Sequence, residues 1–437
     1  MEARDRREVT VEIDGLAMGG DAVGRQRDPA GAESASDGRA TFVPLAAPGE
    51  RVRARIEREK GRAAWGELTA IERPSAERVA PPCPLFGSCG GCQWQHVSIG
   101  AQRAAKKAIV ERALGLAIPP VRVVGPDFGY RDRAKLTVGK TGTTTDTKTG
   151  TTTGTLGFHA RRSHDVVDLG EPPRCPLFGP ELARALPALH ALARGMAPGI
   201  ELEVQVGAEG VHLNVVRADA LSAAHARREI DRLGEAGVVG LSLSGKPTLG
   251  RAEVDVAEPG SPPLAIPAGG FAQVGRAANA ALVAAVMEAV GPEPGIVLEM
   301  YAGSGTFTRH LAADVGTGGR VFACDGDPAA VERGRRNVPG AAWSARPPAD
   351  VPDTVVLDPP REGADRFHLT AAIRARRRIV YVSCDPQTLG RDARHLKADG
   401  FRLVRAVALD LMPQTFHVEV VATFEPGGGG NDAVGEP

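Results

Sequence analysis

The chain has 437 residues, which is too many for one ordinary domain and enough for three that each bury a core of their own. Lys and Arg together number 53, as do Asp and Glu, so no overall positive field attracts a polyanion, and nucleic-acid binding needs local basic patches. Six cysteines are too few for a disulfide scaffold. The sequence has neither a secretory signal layout nor a run of about 18 apolar residues, which predicts a cytoplasmic protein without a membrane span.

Residues 1–73 predict a small OB-like β-barrel. Short runs of alternating apolar residues at 9–13, 40–43 and 52–56 are separated by turns that contain glycine and proline. Barrels of this size often bind oligonucleotides, and residues 51–62 include six basic residues against two acidic ones. The same charges also suit a solvated strand edge, so the pattern favours RNA binding and an inert edge about equally.

Residues 74–262 predict a central domain of mixed α and β structure. A helical pattern covers residues 101–114, and alternating strands resume at residues 133–138. Residues 140–155 consist almost wholly of Thr, Gly, Lys and Asp. They predict a low-complexity insertion that buries no core, and we assign it no function.

Four of the six cysteines lie in this central region. Cys83, Cys89 and Cys92 fall within ten positions, and Cys175, in a Pro-Pro-Arg-Cys-Pro segment, is the candidate fourth ligand. Four thiolates suit an iron–sulfur cluster or a zinc ion. The spacing alone does not separate the two metals.

Residues 263–426 predict a doubly wound, Rossmann-like domain. A helical pattern over residues 271–290 precedes four near-continuous apolar strands that alternate with helical stretches. These strands cover residues 296–300, 321–324, 354–357 and 379–382. Ligands of such sheets bind beyond the carboxyl ends of the strands. The Gly-rich, polar residues 427–437 predict a disordered tail.

The first two strand ends predict a nucleoside-type cofactor. Gly303 and Gly305 form a turn that lets the backbone approach a ligand closely. Asp325 ends the next strand, where a carboxylate can accept hydrogen bonds from ribose hydroxyls. The third strand ends in Asp358-Pro-Pro-Arg361, and consecutive prolines at that place predict a rigid rim for a substrate slot.

Cys384 closes the fourth strand and is the candidate nucleophile. Its thiolate would add to C6 of a uracil ring and turn C5 into a carbon nucleophile that attacks a sulfonium methyl group. We expect the thiol to be partly ionised and exposed at the start of a helix over residues 387–397. A buried, inert cysteine is the alternative reading, and it is the one we assign to Cys324.

A base must then remove the C5 proton before the thiol can leave. Glu419 is the first candidate, because burial can raise the pKa of a carboxylate into a useful range, and His417 is the second. Residues 418–424 alternate like a strand, so the pattern leaves open which of these side chains faces solvent.

These features together make the chain similar to the RNA uracil-5 methyltransferase family, in the form that has an N-terminal TRAM domain and an iron–sulfur cluster. The resemblance extends from residue 8 to residue 425. It depends on the four cysteines and on five motifs in a fixed order: Gly-Phe-His-Ala-Arg-Arg-Ser-His at 157–164, Phe-Ala-Gln-Val at 271–274, Asp-Pro-Pro-Arg at 358–361, Ser-Cys-Asp-Pro at 383–386 and His-Val-Glu at 417–419.

The resemblance implies a role for each candidate residue. Cys384 is implied to be the nucleophile and Glu419 the proton acceptor. The implied S-adenosylmethionine contacts are Gln273, Tyr301, Asp325 and Asp358. The implied ligands of a 4Fe-4S cluster are Cys83, Cys89, Cys92 and Cys175. The implied reaction is methylation of uridine C5 in RNA, with 23S ribosomal RNA favoured over transfer RNA and no protein partner.

Three residues depart from the family pattern, and two other functions stay open. Gly275 stands in place of Asn, Ala302 in place of Cys and Asp325 in place of Glu, and the stretch between residues 337 and 358 is short. One alternative is N-methylation of an exocyclic amino group oriented by Asp358, with Cys384 as a bystander. The other is an iron–sulfur RNA-binding factor whose transferase activity has decayed.

Overall fold

The computed structural model describes residues 7–27, 39–145, 152–251, 253–256, 263–316 and 318–427. Part of the predicted insertion and nearly all of the predicted C-terminal tail lie outside these ranges. Within them the strands form a closed barrel, a seven-stranded sheet, a two-stranded sheet and an eight-stranded sheet. No helix in the described ranges is long and apolar enough to cross a membrane.

The predicted N-terminal barrel is confirmed. Its strands are β1 (Glu8–Leu16), β2 (Ala22–Arg27), β3 (Ala40–Val43), β4 (Arg51–Lys60) and β5 (Ala63–Arg73). They close in the order β1-β2-β3-β5-β4, with alternate residues such as Val11, Ile13 and Val52 buried inside. On the outer face, Arg51 donates a hydrogen bond to Glu72 of β5 over 3.1 Å, so part of the basic run is neutralised by the neighbouring strand.

The elements of the central region follow in chain order. They are α1 (Ile99–Leu114), β6 (Arg122–Val123), β7 (Arg133–Thr145), β8 (Thr152–His159), β9 (Val166–Asp168), α2 (Pro180–Ala193), β10 (Glu201–Val206), β11 (Val211–Val216), α3 (Ala220–Arg228), α4 (Ile230–Glu235), β12 (Val238–Leu243), β13 (Lys246–Leu249), β14 (Glu253–Val256) and β15 (Leu264–Pro267). Seven strands form one sheet in the order β13-β12-β11-β10-β7-β8-β9. Leu182, Leu186 and Leu189 repeat along one face of α2 and bury against this sheet. Helix α1 begins where the Ser98 side chain accepts a hydrogen bond from the backbone N–H of Ala101.

The predicted C-terminal Rossmann-like sheet is also confirmed. Its elements are α5 (Arg276–Val290), β16 (Ile296–Met300), α6 (Thr308–Asp314), β17 (Arg320–Cys324), α7 (Pro328–Asn337), β18 (Ala342–Ser344), β19 (Thr354–Leu357), α8 (Arg366–Ala372), β20 (Arg378–Ser383), α9 (Pro386–Ala398), β21 (Phe401–Asp410) and β22 (Glu419–Pro426). The strand order is β18-β17-β16-β19-β20-β22-β21-β6. Strand β22 runs antiparallel to both of its neighbours, and β6 from the central region adds a parallel edge strand.

The helix predicted over residues 271–290 is wrong at its start, because α5 begins at Arg276. Gly275 is extended, with φ −166° and ψ 163°. The carboxylate of Asp132 accepts a hydrogen bond from the backbone N–H of Arg276 at 2.8 Å and fixes the first turn there. Residues 271–275 therefore stay outside the helix, beside the carboxyl edge of the sheet.

Candidate active site

Parallel strands bring four candidate residues to one edge of the C-terminal sheet. Strand β16 pairs in parallel with β17 and β19, and β19 pairs in parallel with β20. Tyr301, Asp325, Asp358 and Cys384 each directly follow one of these strands. Because the carboxyl ends of parallel strands lie at the same edge, these side chains gather there.

A cavity of about 320 Å³ opens at this edge. All four residues that the resemblance implies as S-adenosylmethionine contacts line it, namely Gln273, Tyr301, Asp325 and Asp358. The Asp325 carboxylate accepts a hydrogen bond from the backbone N–H of Gly303 at 2.8 Å. The glycine turn and the acidic residue, predicted separately from the sequence, thus form one connected unit.

The departures from the family pattern do not close this cavity. A Cβ atom at position 275 would collide with the backbone carbonyl of Tyr130, so glycine at Gly275 has a steric reason. Ala302 lines the cavity and is 5% exposed. Among the described residues, none between 334 and 357 lines the cavity. The walls of the cavity are formed by other segments, so the shortness of this stretch does not alter them.

Asp325→Ala is expected to weaken S-adenosylmethionine binding by on the order of 10-fold to 100-fold, because it removes a charged hydrogen-bond acceptor that also orders the glycine turn. Isothermal titration calorimetry measures the change in Kd. The matched control is Asp350→Ala, which removes an exposed carboxylate outside the cavity. Equal affinity in wild type and Asp325→Ala would contradict the assignment.

Cys384 and Glu419 lie side by side next to this cavity. Strand β22 is antiparallel to β20, and the pairing of Ser383 with Val420 places Cys384 beside Glu419. Glu419 is only 5% exposed, so it faces the protein interior and not the solvent. The charge of Asp358 acts on both groups.

The thiol of Cys384 is half-buried. Its pKa is raised to about 11, mainly by burial and also by the Glu419 carboxylate, while the Arg361 guanidinium opposes both effects. The expectation of a partly ionised thiol at a helix start is therefore wrong for the ligand-free protein. Burial is the main reason, and the first backbone N–H groups of α9 donate to the Asp385 carboxylate, at 2.8 and 3.2 Å.

Of the two candidate bases, the electrostatics favour Glu419. Burial raises the pKa of Glu419 well above its ordinary value, the charge of Asp358 adds to this, and Arg361 opposes it. Burial and the nearby Arg361 instead lower the pKa of His417 to about 4. A more basic carboxylate accepts a proton from carbon more readily than an imidazole of such low pKa.

Glu299 is a candidate functional residue that the sequence reasoning passed over. It is 2% exposed in β16, and burial raises its pKa to about 8, with the charges of Asp358 and Asp325 adding to the effect. The Thr308 hydroxyl donates to it at 2.6 Å and so connects β16 to the first residue of α6. The sequence feature that could have identified Glu299 is a single carboxylate within an otherwise apolar strand.

Asp358→Asn is expected to stabilise the ligand-free protein in a pH-dependent way. Burial raises the pKa of Asp358 from 3.8 to about 7. Between these values the unfolded chain ionises this group while the folded protein keeps it protonated, so the wild type loses stability as pH rises. The gain in Tm from Asn should grow from pH 3.8 to about pH 7 and stay constant above that. Thermal unfolding across this pH range measures the gain in Tm. A gain that shrinks as pH rises would contradict the prediction.

The four cysteines of the central region line one pocket, together with Arg131. Burial raises the pKa of Cys92 to about 12 and that of Cys175 to about 11. The Nε of Arg131 is buried and has no hydrogen-bond partner among the described residues. Within the described ranges, no group of three or more His, Cys, Asp or Glu side chains has the arrangement of a metal site. The fold thus gathers the predicted ligands without closing them into a preformed metal site.

Two family models match the ends of the chain. One, described as TRAM domain, matches residues 2–69. The other, described as tRNA (Uracil-5-)-methyltransferase, matches residues 351–425. The second match contains Asp358, Cys384 and Glu419, and the first coincides with the five-stranded barrel.

Relatives extend the match over almost the whole chain. The 23S rRNA (uracil(1939)-C(5))-methyltransferase RlmD of Dechloromonas aromatica is 33% identical over 430 residues, which cover 89% of this chain and 95% of that protein. RlmD of an Enterobacter species is 30% identical, and the alignment covers 96% of this chain and 97% of that protein. The crystal structure of Pyrococcus abyssi tRNA (uracil-54, C5)-methyltransferase in complex with S-adenosyl-L-homocysteine aligns with a TM-score of 0.71 and 25% identity, covering 95% of this chain and 99% of that one. The chain therefore belongs to the RNA (uracil-C5)-methyltransferase family and is an RNA methyltransferase that uses S-adenosylmethionine.

Proposed function

We propose that this protein methylates C5 of a uridine in RNA through a covalent adduct between Cys384 and C6 of the base. The observation that carries the proposal is the strand order: Asp358, which lines the cofactor cavity, directly follows β19, Cys384 directly follows the neighbouring β20, and β22, which pairs with β20, begins at Glu419. The cofactor cavity, the thiol and the carboxyl group thus adjoin one another. In such an arrangement one bound uracil base can contact the cofactor, the thiol and the carboxyl group at the same time.

Cys384 begins the reaction by releasing its proton to solvent and adding its sulfur to C6, which moves the electrons of the C5–C6 double bond toward C5 and the O4 carbonyl. S-adenosylmethionine supplies the methyl group that C5 takes up, and the methyl–sulfur bond electrons leave with the thioether. Glu419 then removes the C5 proton. The electrons of that C–H bond re-form the double bond as the bond from C6 to sulfur breaks and the thiolate leaves.

Two neighbours suit these steps. The raised pKa of Glu419 makes its carboxylate a stronger base than an exposed one. Arg361 lowers the pKa of Cys384 against the effect of burial, so it stabilises the thiolate both when it attacks and when it leaves.

We propose 23S ribosomal RNA as the substrate and keep transfer RNA as the alternative. The relatives named as 23S rRNA enzymes reach 33% identity over most of the chain. The structural neighbour named as a tRNA enzyme has 25% identity. The higher identity favours ribosomal RNA.

We also propose that Cys83, Cys89, Cys92 and Cys175 hold a 4Fe-4S cluster. Four thiols around one pocket suit such a cluster, and the buried Arg131 offers a positive charge and a free N–H to anionic sulfur. A bound cluster would supply cross-links between the segment of residues 83–92 and the segment that contains Cys175.

Cys175→Ser is expected to at least halve the iron and sulfide content of protein purified without oxygen, from about four of each per chain in the wild type. The control is Cys324→Ser, since Cys324 lies in β17 outside the cysteine pocket. Metal analysis and sulfide determination provide the measurement. Zinc in place of iron, or iron content unchanged in Cys175→Ser, would refute the cluster.

The test of the reaction is transfer of an isotopically labelled methyl group from S-adenosylmethionine to unmodified 23S rRNA and bulk tRNA, followed by nucleoside and fragment mass spectrometry. Label in 5-methyluridine supports the reaction, and the labelled fragment identifies the substrate. Label in an N-methylated base supports amino methylation instead. Absence of transfer by protein that binds S-adenosylmethionine and carries its cluster supports a binding factor.

A further inference from the structure

The loop of residues 411–418 connects β21 to β22 and delivers Glu419 to the active site. Gln414 in its centre is 4% exposed and has a left-handed backbone, with φ 68°. A residue other than glycine keeps that conformation only where its surroundings hold it. The contacts of this loop therefore bear on where Glu419 lies.

Helix α1 holds the loop from one side. The Gln102 side chain, 1% exposed, accepts a hydrogen bond from the Gln414 backbone N–H at 2.9 Å and donates to the Gln414 side-chain oxygen at 3.0 Å. The buried Lys106 ammonium donates to the carbonyl of Met412 at 3.0 Å. One buried amide thus fixes both the backbone and the side chain of the left-handed residue.

Residues next to the cysteine pocket also hold the loop. Two backbone N–H groups immediately after Cys92 donate to the carbonyl of Gln414, both at 3.0 Å. The Tyr130 hydroxyl donates to the carbonyl of Pro413 at 2.9 Å. Tyr130 also interacts with the guanidinium of Arg131, which lines the cysteine pocket. A continuous chain of contacts therefore joins the cysteine pocket to the loop that ends at Glu419.

We propose that Gln102 and Tyr130 are positioning residues that hold this loop so that Glu419 reaches the C5 proton of the methylated base. The inference rests on the proposed function, because it assigns the proton removal to Glu419. Neither side chain lines the cofactor cavity, so both act through the loop. A displacement of about 1 Å in a catalytic group can slow its step by on the order of 100-fold.

The position of this step in the reaction gives the inference a specific signature. Proton removal follows both the attack of Cys384 and the methyl transfer. A misplaced Glu419 therefore slows release of the RNA but leaves formation of the adduct intact. General loss of stability would instead lower the amount of active protein and leave the rates of the surviving molecules unchanged.

The experiment compares wild type, Tyr130→Phe and Gln102→Met in single turnovers with uridine-containing RNA and S-adenosylmethionine. Samples quenched in denaturant over time give the fraction of protein attached to RNA, and mass spectrometry gives its methylation. We expect adduct formation within about twofold of wild type and release slowed by on the order of 10-fold or more, with the accumulated adduct methylated. Tyr130→Phe removes only one oxygen atom, so we expect this variant to fold. Its release rate alone tests the inference if Gln102→Met yields too little folded protein.

Thr354→Val is the matched control. It removes a buried hydroxyl that donates to the carbonyl of Pro294 at 3.1 Å, at the opposite end of the sheet. Unchanged release in the Tyr130 and Gln102 variants, or equally slow release in Thr354→Val, would overturn the inference while the proposed function stands. No adduct with wild type, even on 5-fluorouridine RNA, would overturn the proposed function itself and this inference with it.

Discussion

Cys384→Ala is expected to lower kcat for methyl transfer by on the order of 10⁴-fold or more while leaving S-adenosylmethionine affinity within about twofold of wild type. The physical reason is that C5 of uracil is a poor nucleophile until a group adds to C6. Steady-state methyl transfer gives kcat, and titration calorimetry gives the affinity for the cofactor. We expect kcat to fall without a matching change in cofactor affinity because Cys384 does not line the cofactor cavity.

The matched control for this variant is Cys324→Ala. Cys324 is 1% exposed at the end of β17, and its sulfur lies 3.4 Å from the Ser344 hydroxyl. Its loss should change stability more than turnover. Full activity of Cys384→Ala would eliminate the covalent mechanism, and parallel loss in both variants would point to a damaged fold.

Glu419→Gln is expected to lower kcat by on the order of 10²-fold to 10⁴-fold and to trap the enzyme on its RNA. An amide cannot take the C5 proton, whereas the attack of Cys384 and the methyl transfer come before that step. The removal of a carboxylate next to the thiol also lowers the pKa of Cys384. Adduct formation should therefore be at least as fast as in wild type, and the adduct should persist in denaturant and carry the new methyl group.

Glu425→Gln provides the comparison on the same strand. Glu425 lies near the other end of β22, 3.6 Å from Arg378 and from Arg402, away from the cofactor cavity. This variant should turn over normally. Loss of activity in Glu419→Gln without any RNA adduct would mean that the carboxyl group acts before the attack, and His417 would then become the candidate for proton removal.

Hydrophobic periodicity was enough to predict that three candidate residues gather at one edge of the C-terminal sheet. Apolar strands that alternate with helices imply parallel pairing, and parallel strands place Asp325, Asp358 and Cys384 at one edge. Gln273 was identified by resemblance alone, since the helical pattern ran through it. It stays outside the helix because Asp132, which directly precedes β7, fixes the start of α5 at Arg276.

The partners of Cys384 could not be derived from periodicity. Glu419 reaches the thiol because β22 inserts antiparallel between β20 and β21, and alternation in a strand does not say which strand it will pair with. The same limit applies to the loop before Glu419, because the Gln102 to Gln414 contact joins residues 312 positions apart. The ionisation of the thiol depends on burial and on its charged neighbours Glu419 and Arg361, and neither follows from sequence spacing.

The most direct test of the central claim, that Cys384 attacks C6 of a uracil, uses RNA in which the target carries 5-fluorouridine. Fluorine cannot leave C5 as a cation, so the adduct stays after methyl transfer. We predict a denaturation-resistant complex that accumulates in the presence of S-adenosylmethionine, carries one methyl group and, after digestion, maps by mass spectrometry to the peptide of Cys384. Methyl transfer without such a complex, or an adduct on another residue, would contradict the account.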